Sequence, residues 1–437
     1  MNFNGLHFKN HAQLPIAIVG GGLGGLALAI GLLKHGIQVH IYESAEAFSE
    51  IGAGVAFGIN SITALHLIEP KLLEGYKKHA TFNADHDRAS TFMSFRWGMD
   101  ERGLDGHKAG DVMWDLNDDW EPERAKALGV RTRSCIHRAR LLDELVALLP
   151  AGVTSFKKSF VTAEEQVDGS LQLSFADGTT ALASALIGCD GIKSKVRELV
   201  CGPAVQATYA GEVAYRAVVP KADADKALGA DLAFNGTIYC GYGGYVVTYP
   251  IENCDFVNMV AIPHDPGNTW NWSEEEWTVP ATTKEIRQRF EGWYSPLVDI
   301  ICEYSMPYKW ALFDLQHNAP YYRRKKCLLG DSAHATTPHL GAGAGMAMED
   351  AYLLSSLIAS VGDIAHIEDA FRAYDAVRRP RTQGCIQRGR NAAMALDFLD
   401  PDVNDDISAL RKVLRTSYKW LWHENLEAQL CKAQTLL

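Results

Sequence analysis

The run Gly20-Gly21-Gly22-Leu23-Gly24-Gly25 stands directly behind the apolar stretch Ile16-Ala17-Ile18-Val19 and opens a segment carrying Leu26, Leu28, Ile30, Leu32 and Leu33. Gly20-x-Gly22-x-x-Gly25 between a strand and a helix meets three mechanical needs. It allows a tight turn, a close backbone approach to a pyrophosphate, and close packing of helix on strand. The free N–H groups of the helix start then face the phosphate charge. Gly36 stops the helix, as glycine does at a helix C-terminus. A second strand is expected over residues 37–42, closed by Glu43. A carboxylate there accepts hydrogen bonds from adenosine ribose hydroxyls and repels a 2′-phosphate, which disfavours NADP. A βαβ unit with a parallel sheet follows. The glycine loop by itself does not separate NAD from FAD.

The chain has 437 residues, 47% hydrophobic and 22% charged, which suits a soluble globular protein of two intertwined domains. The longest apolar stretch, residues 23–33, is broken by Gly24, Gly25 and Gly31, and no stretch is long enough to span a bilayer. Residues 1–14 hold no apolar signal core, so an intracellular, cytoplasmic protein is expected. The nine cysteines stand singly without CxxC spacing, which argues against a metal site or a redox dithiol and for a reducing compartment. A net charge of -11 argues against a nucleic-acid partner.

Residues 15–83 read as the first part of the dinucleotide-binding domain. Residues 84–129 are polar, rich in Asp, Trp and Gly and without clear period, an excursion toward a second domain. Residues 130–200 return to the first domain, with a helix over 138–149 and strands over 171–175 and 181–187 joined through Asp177-Gly178. Residues 201–318 are β-rich and aromatic, with strands over 214–219 and 245–249, and predict a mainly antiparallel substrate sheet. Residues 319–386 restore the first domain, with a buried strand over 326–330 and a helix over 346–360. Residues 387–437 form a helical tail anchored by Tyr418, Trp420, Leu421 and Trp422. The basic run Arg323-Arg324-Lys325-Lys326 reads as a solvated turn.

Two further segments complete the pattern: Gly188-Cys189-Asp190-Gly191, running on to Arg197, and Gly330-Asp331, followed by Pro338-His339-Leu340-Gly341-Ala342-Gly343 and Glu349-Asp350. An aspartate at a strand end can accept hydrogen bonds from a ribityl chain. Singly, a β-turn at Asp190-Gly191 and a helix cap at Asp331 would explain them. In this order the set resembles the class A flavoprotein aromatic monooxygenases, the family of p-hydroxybenzoate hydroxylase, with Cys189 where alanine is usual. It is most similar to the salicylate hydroxylases and the fungal phenol-dearomatising hydroxylases. Further support comes from Glu50-Ile51-Gly52-Ala53-Gly54-Val55, His137-Arg138-Ala139-Arg140, Ala214-Tyr215-Arg216, Trp310 to Leu315 and Ala373 to Arg381. The resemblance implies an α/β fold: a Rossmann-like FAD-binding domain of the glutathione reductase type, an inserted mainly antiparallel β-sheet substrate domain and a helical C-terminus. It implies FAD held by Gly20, Gly22, Gly25, Glu43, Ala56, Arg138, Asp190, Asp331, Gly343 and Ala344. NADH or NADPH serves as co-substrate without a second Rossmann unit, and O2 and a small aromatic compound complete the reactants.

The implied reaction is hydroxylation of a phenolic aromatic acid through a flavin C4a-hydroperoxide, salicylate giving catechol plus CO2. A dearomatising hydroxylase of a resorcinol-type polyketide is the alternative, and an NAD-dependent dehydrogenase a more distant one that leaves Gly330-Asp331 unexplained. An electrophilic oxygen needs an electron-rich ring, so the protein must activate a phenol, orient it and exclude water. His339, beside the expected flavin ring, is the candidate for phenol activation; the salicylate hydroxylases have a histidine at this place. Arg216 is the candidate for a substrate anion unless it pairs with an acid inside the sheet. Tyr249 is the candidate for the substrate hydroxyl unless it is core. Tyr239, Tyr242 and Tyr245 suggest a planar pocket, and His334 a structural role.

Overall fold

A computed structural model describes residues 14–48, 54–100, 106–117, 122–131, 134–265, 267, 270 and 276–437. Residues 50–53 of the Glu50 to Val55 string lie outside them.

Ile16–Val19 is buried at all four positions and lies inside a six-stranded sheet, between Ala185–Gly188 and Val39–Tyr42. Lys326–Leu328 follows beyond Ala185–Gly188, and these four strands run parallel. Burial at every position suits the apolar sequences of Ile16–Val19 and Ala185–Gly188. Parallel strands end on the same edge, and this brings the glycine segments together. Gly20 N donates to Tyr42 O, Cys189 N to Val19 O and Leu329 N to Gly188 O, at 2.9, 2.7 and 2.9 Å. Three loops distant in sequence thereby leave one sheet edge side by side, where open α/β sheets bind ligands.

The Leu23–Lys34 helix packs on this sheet and against the Gly343–Val361 helix. The expected strand over 37–42 is realised as Val39–Tyr42, and the helix over 138–149 as Arg138–Val146. The strand expected over 181–187 is two strands. Thr180–Ala183 closes the Asp177-Gly178 hairpin on Leu171–Phe175, whereas Ala185–Gly188 joins the parallel sheet. Ser184 between them bonds Pro15 O through its N–H, and the chain changes sheets there.

The second large sheet has eight strands, in the order Thr278–Pro280, Ser305–Asp314, Thr208–Pro220, Phe256–Pro263, Gly244–Ile251, Thr237–Gly241, Thr91–Trp97, Val112–Asn117. Its pairs are antiparallel except Thr237–Gly241 with Thr91–Trp97. The stretch 84–129 thus adds two strands to this sheet. Thr91–Trp97 has no polar alternation because all seven residues are buried. Ser94 and Arg96 are accommodated there by Asp115 and Asp231. The run 323–326 is a tight hairpin, with Arg324 exposed at its tip.

Ile367–Leu396 is one helix of 30 residues, so position 387 falls inside it; Ile407–Trp422 and Leu426–Gln434 follow. No helix among the described residues is long and apolar enough to cross a membrane.

Candidate active site

Gly20 has φ +105°, a left-handed conformation that suits glycine, and a Cβ there would stand 2.3 Å from Cys189 O. At Gly25 a Cβ would stand 2.1 Å from Gly20 O, so helix and loop touch through backbone. Gly22 differs: its Cβ position is open, and it lines a cavity. The helix beginning at Leu23 has no side-chain cap and no acid in its first turn, and the same holds for the helix beginning at Gly343. Both present bare N–H groups toward that cavity, whose walls include Leu23, Gly24, Gly343 and Ala344. Glu43 is aimed by its neighbours: Oε2 accepts from Gly21 N and Oε1 from Ala45 N, each at 2.7 Å.

The cavity measures about 570 Å³. A smaller recess of about 350 Å³ shares Gly22 and Cys189 with it and is lined by Gly20, Glu43, Asp190 and Lys193. Ala56, Arg138 and Asp331 line the larger cavity. The substrate sheet forms its opposite wall by two-residue alternation: Ala214 and Arg216 from one strand, Val260 and Ile262 from the next, Tyr245, Val247 and Tyr249 from the third.

Asp190 lines the smaller recess beside Glu43. Its carboxylate accepts from Ser194 Oγ, Lys195 N and Val196 N at 2.6, 2.8 and 3.1 Å, and so caps the following helix. Asp331 does not cap its own short helix and stands exposed at the cavity. Asp350, behind it, accepts from Gly330 N at 3.1 Å and fixes the turn that presents Asp331. His334 bonds Asp350 Oδ2 at 2.5 Å in the interior, a structural pairing.

His339 lines the cavity with its ring enclosed. Nδ1 lies 2.9 Å from the Tyr245 hydroxyl and Nε2 2.9 Å from Glu212 Oε2. Arg216 stands with Cζ 5.7 Å from the centre of the Trp310 ring and forms no hydrogen bond or ion pair among the described residues. Burial lowers its pKa; Tyr249 opposes that shift and Arg138 adds to it. Tyr249 lines the cavity too, and its hydroxyl donates to Gly54 O at 2.7 Å. Of the three tyrosines expected to line a pocket, Tyr245 does. Tyr239 is fully buried, and Tyr242 donates to Asp405 at 2.5 Å.

Sequence reasoning missed Glu212 and Trp310, and it read Tyr245 merely as an aromatic wall. A signal for Glu212 was present: Glu212, Ala214 and Arg216 recur at two-residue steps and share a strand face.

An open glycine, two uncapped helix starts and an aimed carboxylate along joined cavities fit a dinucleotide with a bulky ring at one end. Residues 13–389 match the FAD binding domain family, and the chain belongs to it: it is an FAD-dependent monooxygenase. It is 38% identical to 6-methylsalicylate 1-monooxygenase of Aspergillus terreus over 95% of this chain and 91% of that one. It is 35% identical to a salicylate hydroxylase of Pseudomonas putida, over 98% of this chain and 96% of that one. A solved salicylate hydroxylase substrate complex superimposes with a TM-score of 0.83 at 29% identity, covering 97% of this chain and 98% of that one.

Proposed function

We propose that the chain is a salicylate-type 1-monooxygenase, which hydroxylates the ring carbon bearing the carboxylate and yields a catechol and CO2. Bound FAD, reduced by NADH or NADPH and reoxidised by O2, supplies the electrophilic oxygen. Gly20, Gly22, Gly25 and Glu43 hold the nucleotide half, with Ala56, Arg138, Asp331, Gly343 and Ala344 around the rest. In this reading parts 15–83, 130–200 and 319–386 carry the cofactor, and 84–129 with 201–318 the substrate. The protein acts inside the cell, in the cytoplasm.

The observation that carries the reading is Arg216. A guanidinium withdrawn from water gains most from an anion, and a carboxylate matches its fork. The apolar walls from Val247, Val260 and Ile262 favour a flat ring and exclude water. His339 accepts the phenol proton, through the Tyr245 hydroxyl that occupies its Nδ1. The salicylate names of two relatives point to the same chemical class.

The test is substrate-stimulated NADH oxidation by the FAD-loaded enzyme with salicylate, 6-methylsalicylate and resorcinols without a carboxylate. The salicylates should accelerate oxidation and release CO2 in step with catechol. Acceleration by the resorcinols alone would replace the proposal with the dearomatising reaction.

A further inference from the structure

His339 occupies a turn, Pro338–Leu340, yet both of its ring nitrogens are held by strands of the other sheet. Glu212, 2% exposed on the Thr208–Pro220 strand, places Oε2 at 2.9 Å from Nε2. A carboxylate only accepts hydrogen bonds, so with Glu212 in that form Nε2 carries the proton and Nδ1 the lone pair. Nδ1 in turn faces the Tyr245 hydroxyl on the cavity wall.

Resting on the phenol-hydroxylase reading above, we infer that Glu212 is the positioning residue of His339: it fixes the imidazole ring and tautomer and balances the charge when that ring takes the phenol proton. The substrate O–H bond breaks and its proton passes to the Tyr245 oxygen. The Tyr245 proton passes to Nδ1, where an N–H bond forms. Phenol and imidazole become phenolate and imidazolium, no electrons are exchanged, and Glu212 stays ionised. A buried carboxylate behind an imidazole stabilises this imidazolium as in other histidine bases oriented by a third group.

Other titratable groups stand around the pair. Asp397, at the end of the Ile367–Leu396 helix, has its pKa driven well above the usual carboxylate range by burial and by Glu212. His264 bridges Glu212 through its backbone and places Nδ1 4.0 Å from Asp397. Burial, then Glu212, Asp397, Tyr418 and Cys240, raise the pKa of Tyr245, so that it passes a proton without persisting as tyrosinate. Tyr209, on the same strand as Glu212, donates to Asp265 at 3.2 Å and has its pKa raised by burial first and then by Asp265. Arg216, four residues along, is left to the substrate.

The experiment compares FAD-loaded wild type with Glu212→Gln and Glu212→Asp. Gln keeps the hydrogen bond and loses the charge, so His339 becomes a weaker base. Turnover on salicylate should fall about 100-fold with KM within about 3-fold, and the acid limb of the kcat–pH profile should move to lower pH. Glu212→Asp retains the charge and should return that limb to its wild-type position. In wild type, ¹⁵N NMR of labelled histidine, assigned by His339→Asn, should find neutral His339 protonated at Nε2. An unshifted acid limb in Glu212→Gln, or protonation at Nδ1, overturns the inference. If Glu212→Gln does not hold FAD, the wild-type tautomer decides. A wild type that hydroxylates no phenol is a separate failure, of the function itself.

Discussion

A guanidinium in a cavity wall and an imidazole between two partners do different work, and kinetics can separate them. In the proposed reaction Arg216 holds a substrate anion in ground and transition state alike. Arg216→Met should therefore raise KM for a carboxylated phenol by about 10- to 100-fold while kcat moves little. His339→Ala should do the reverse, lowering kcat by about 100-fold with FAD still bound. Steady-state kinetics with a visible spectrum of the purified variants checks both. A fall in kcat alone for Arg216→Met would remove its anion-binding role. At this scale the sequence was informative where a residue type is unusual for its place. His339 among glycines and Arg216 in an aromatic strand are such cases. For Tyr249 and Asp190 the sequence named the residue and not its partner within the chain, which the fold chose: Gly54 for one, the start of its own following helix for the other.

The elements around the site are braced by buried charge. On the Gly343–Val361 helix, Glu349 and Asp350 are fully buried. They meet Arg378 and Arg381 from the Ile367–Leu396 helix at 2.7 to 2.8 Å, with Asn60 adding a bond to Glu349. Burial alone would raise the Asp350 pKa, but His334 and Arg378 outweigh it and hold the carboxyl at about 2, below its ordinary 3.8. A depressed folded-state pKa gives stability that is full above 3.8 and lost as pH falls toward 2. That difference corresponds to about 2 kcal/mol. Asp350→Asn leaves Arg378 short of a partner and should cost about 3–5 kcal/mol at neutral pH. Urea unfolding at stepwise lower pH should find the gap to wild type closing below 3.8. A gap that does not narrow with acid would show that the ion pair is not its source. The Gly343–Val361 helix was legible from its apolar pattern over 346–360, whereas the Ile367–Leu396 helix runs through the boundary expected at 387. Their bracing was not legible, since Arg378-Arg379-Pro380-Arg381 reads as an ordinary basic run until the second helix is packed against it.

On the scale of the whole molecule, the described residues form two buried clusters. One surrounds the parallel sheet with the Leu23–Lys34 and Gly343–Val361 helices; the other surrounds the eight-stranded sheet with the Ile407–Trp422 helix. The cavity lies in the seam, walled by Leu23 and Gly330 from one side and Arg216 and Tyr245 from the other. A ligand in such a seam ties both halves and binds the folded state alone. FAD at 100 times its Kd should add about 2.7 kcal/mol and raise the melting temperature by several degrees over the apoprotein. Calorimetry with and without added FAD checks this. An unchanged melting temperature would show that FAD does not bind the folded chain in preference to the unfolded one.

Local chemistry wrote the βαβ unit into the sequence. Gly20 must adopt a conformation other residues resist, Gly25 must let backbone meet backbone, and a strand buried on both faces must be apolar throughout. These constraints act over a few bonds, so they can be read in order along the chain. The meeting of Glu212, His339 and Tyr245 obeys no such rule. It depends on strand register in one sheet and on a turn carried by the other half of the molecule. Distance in space, which no spacing along the chain specifies, chose those partners.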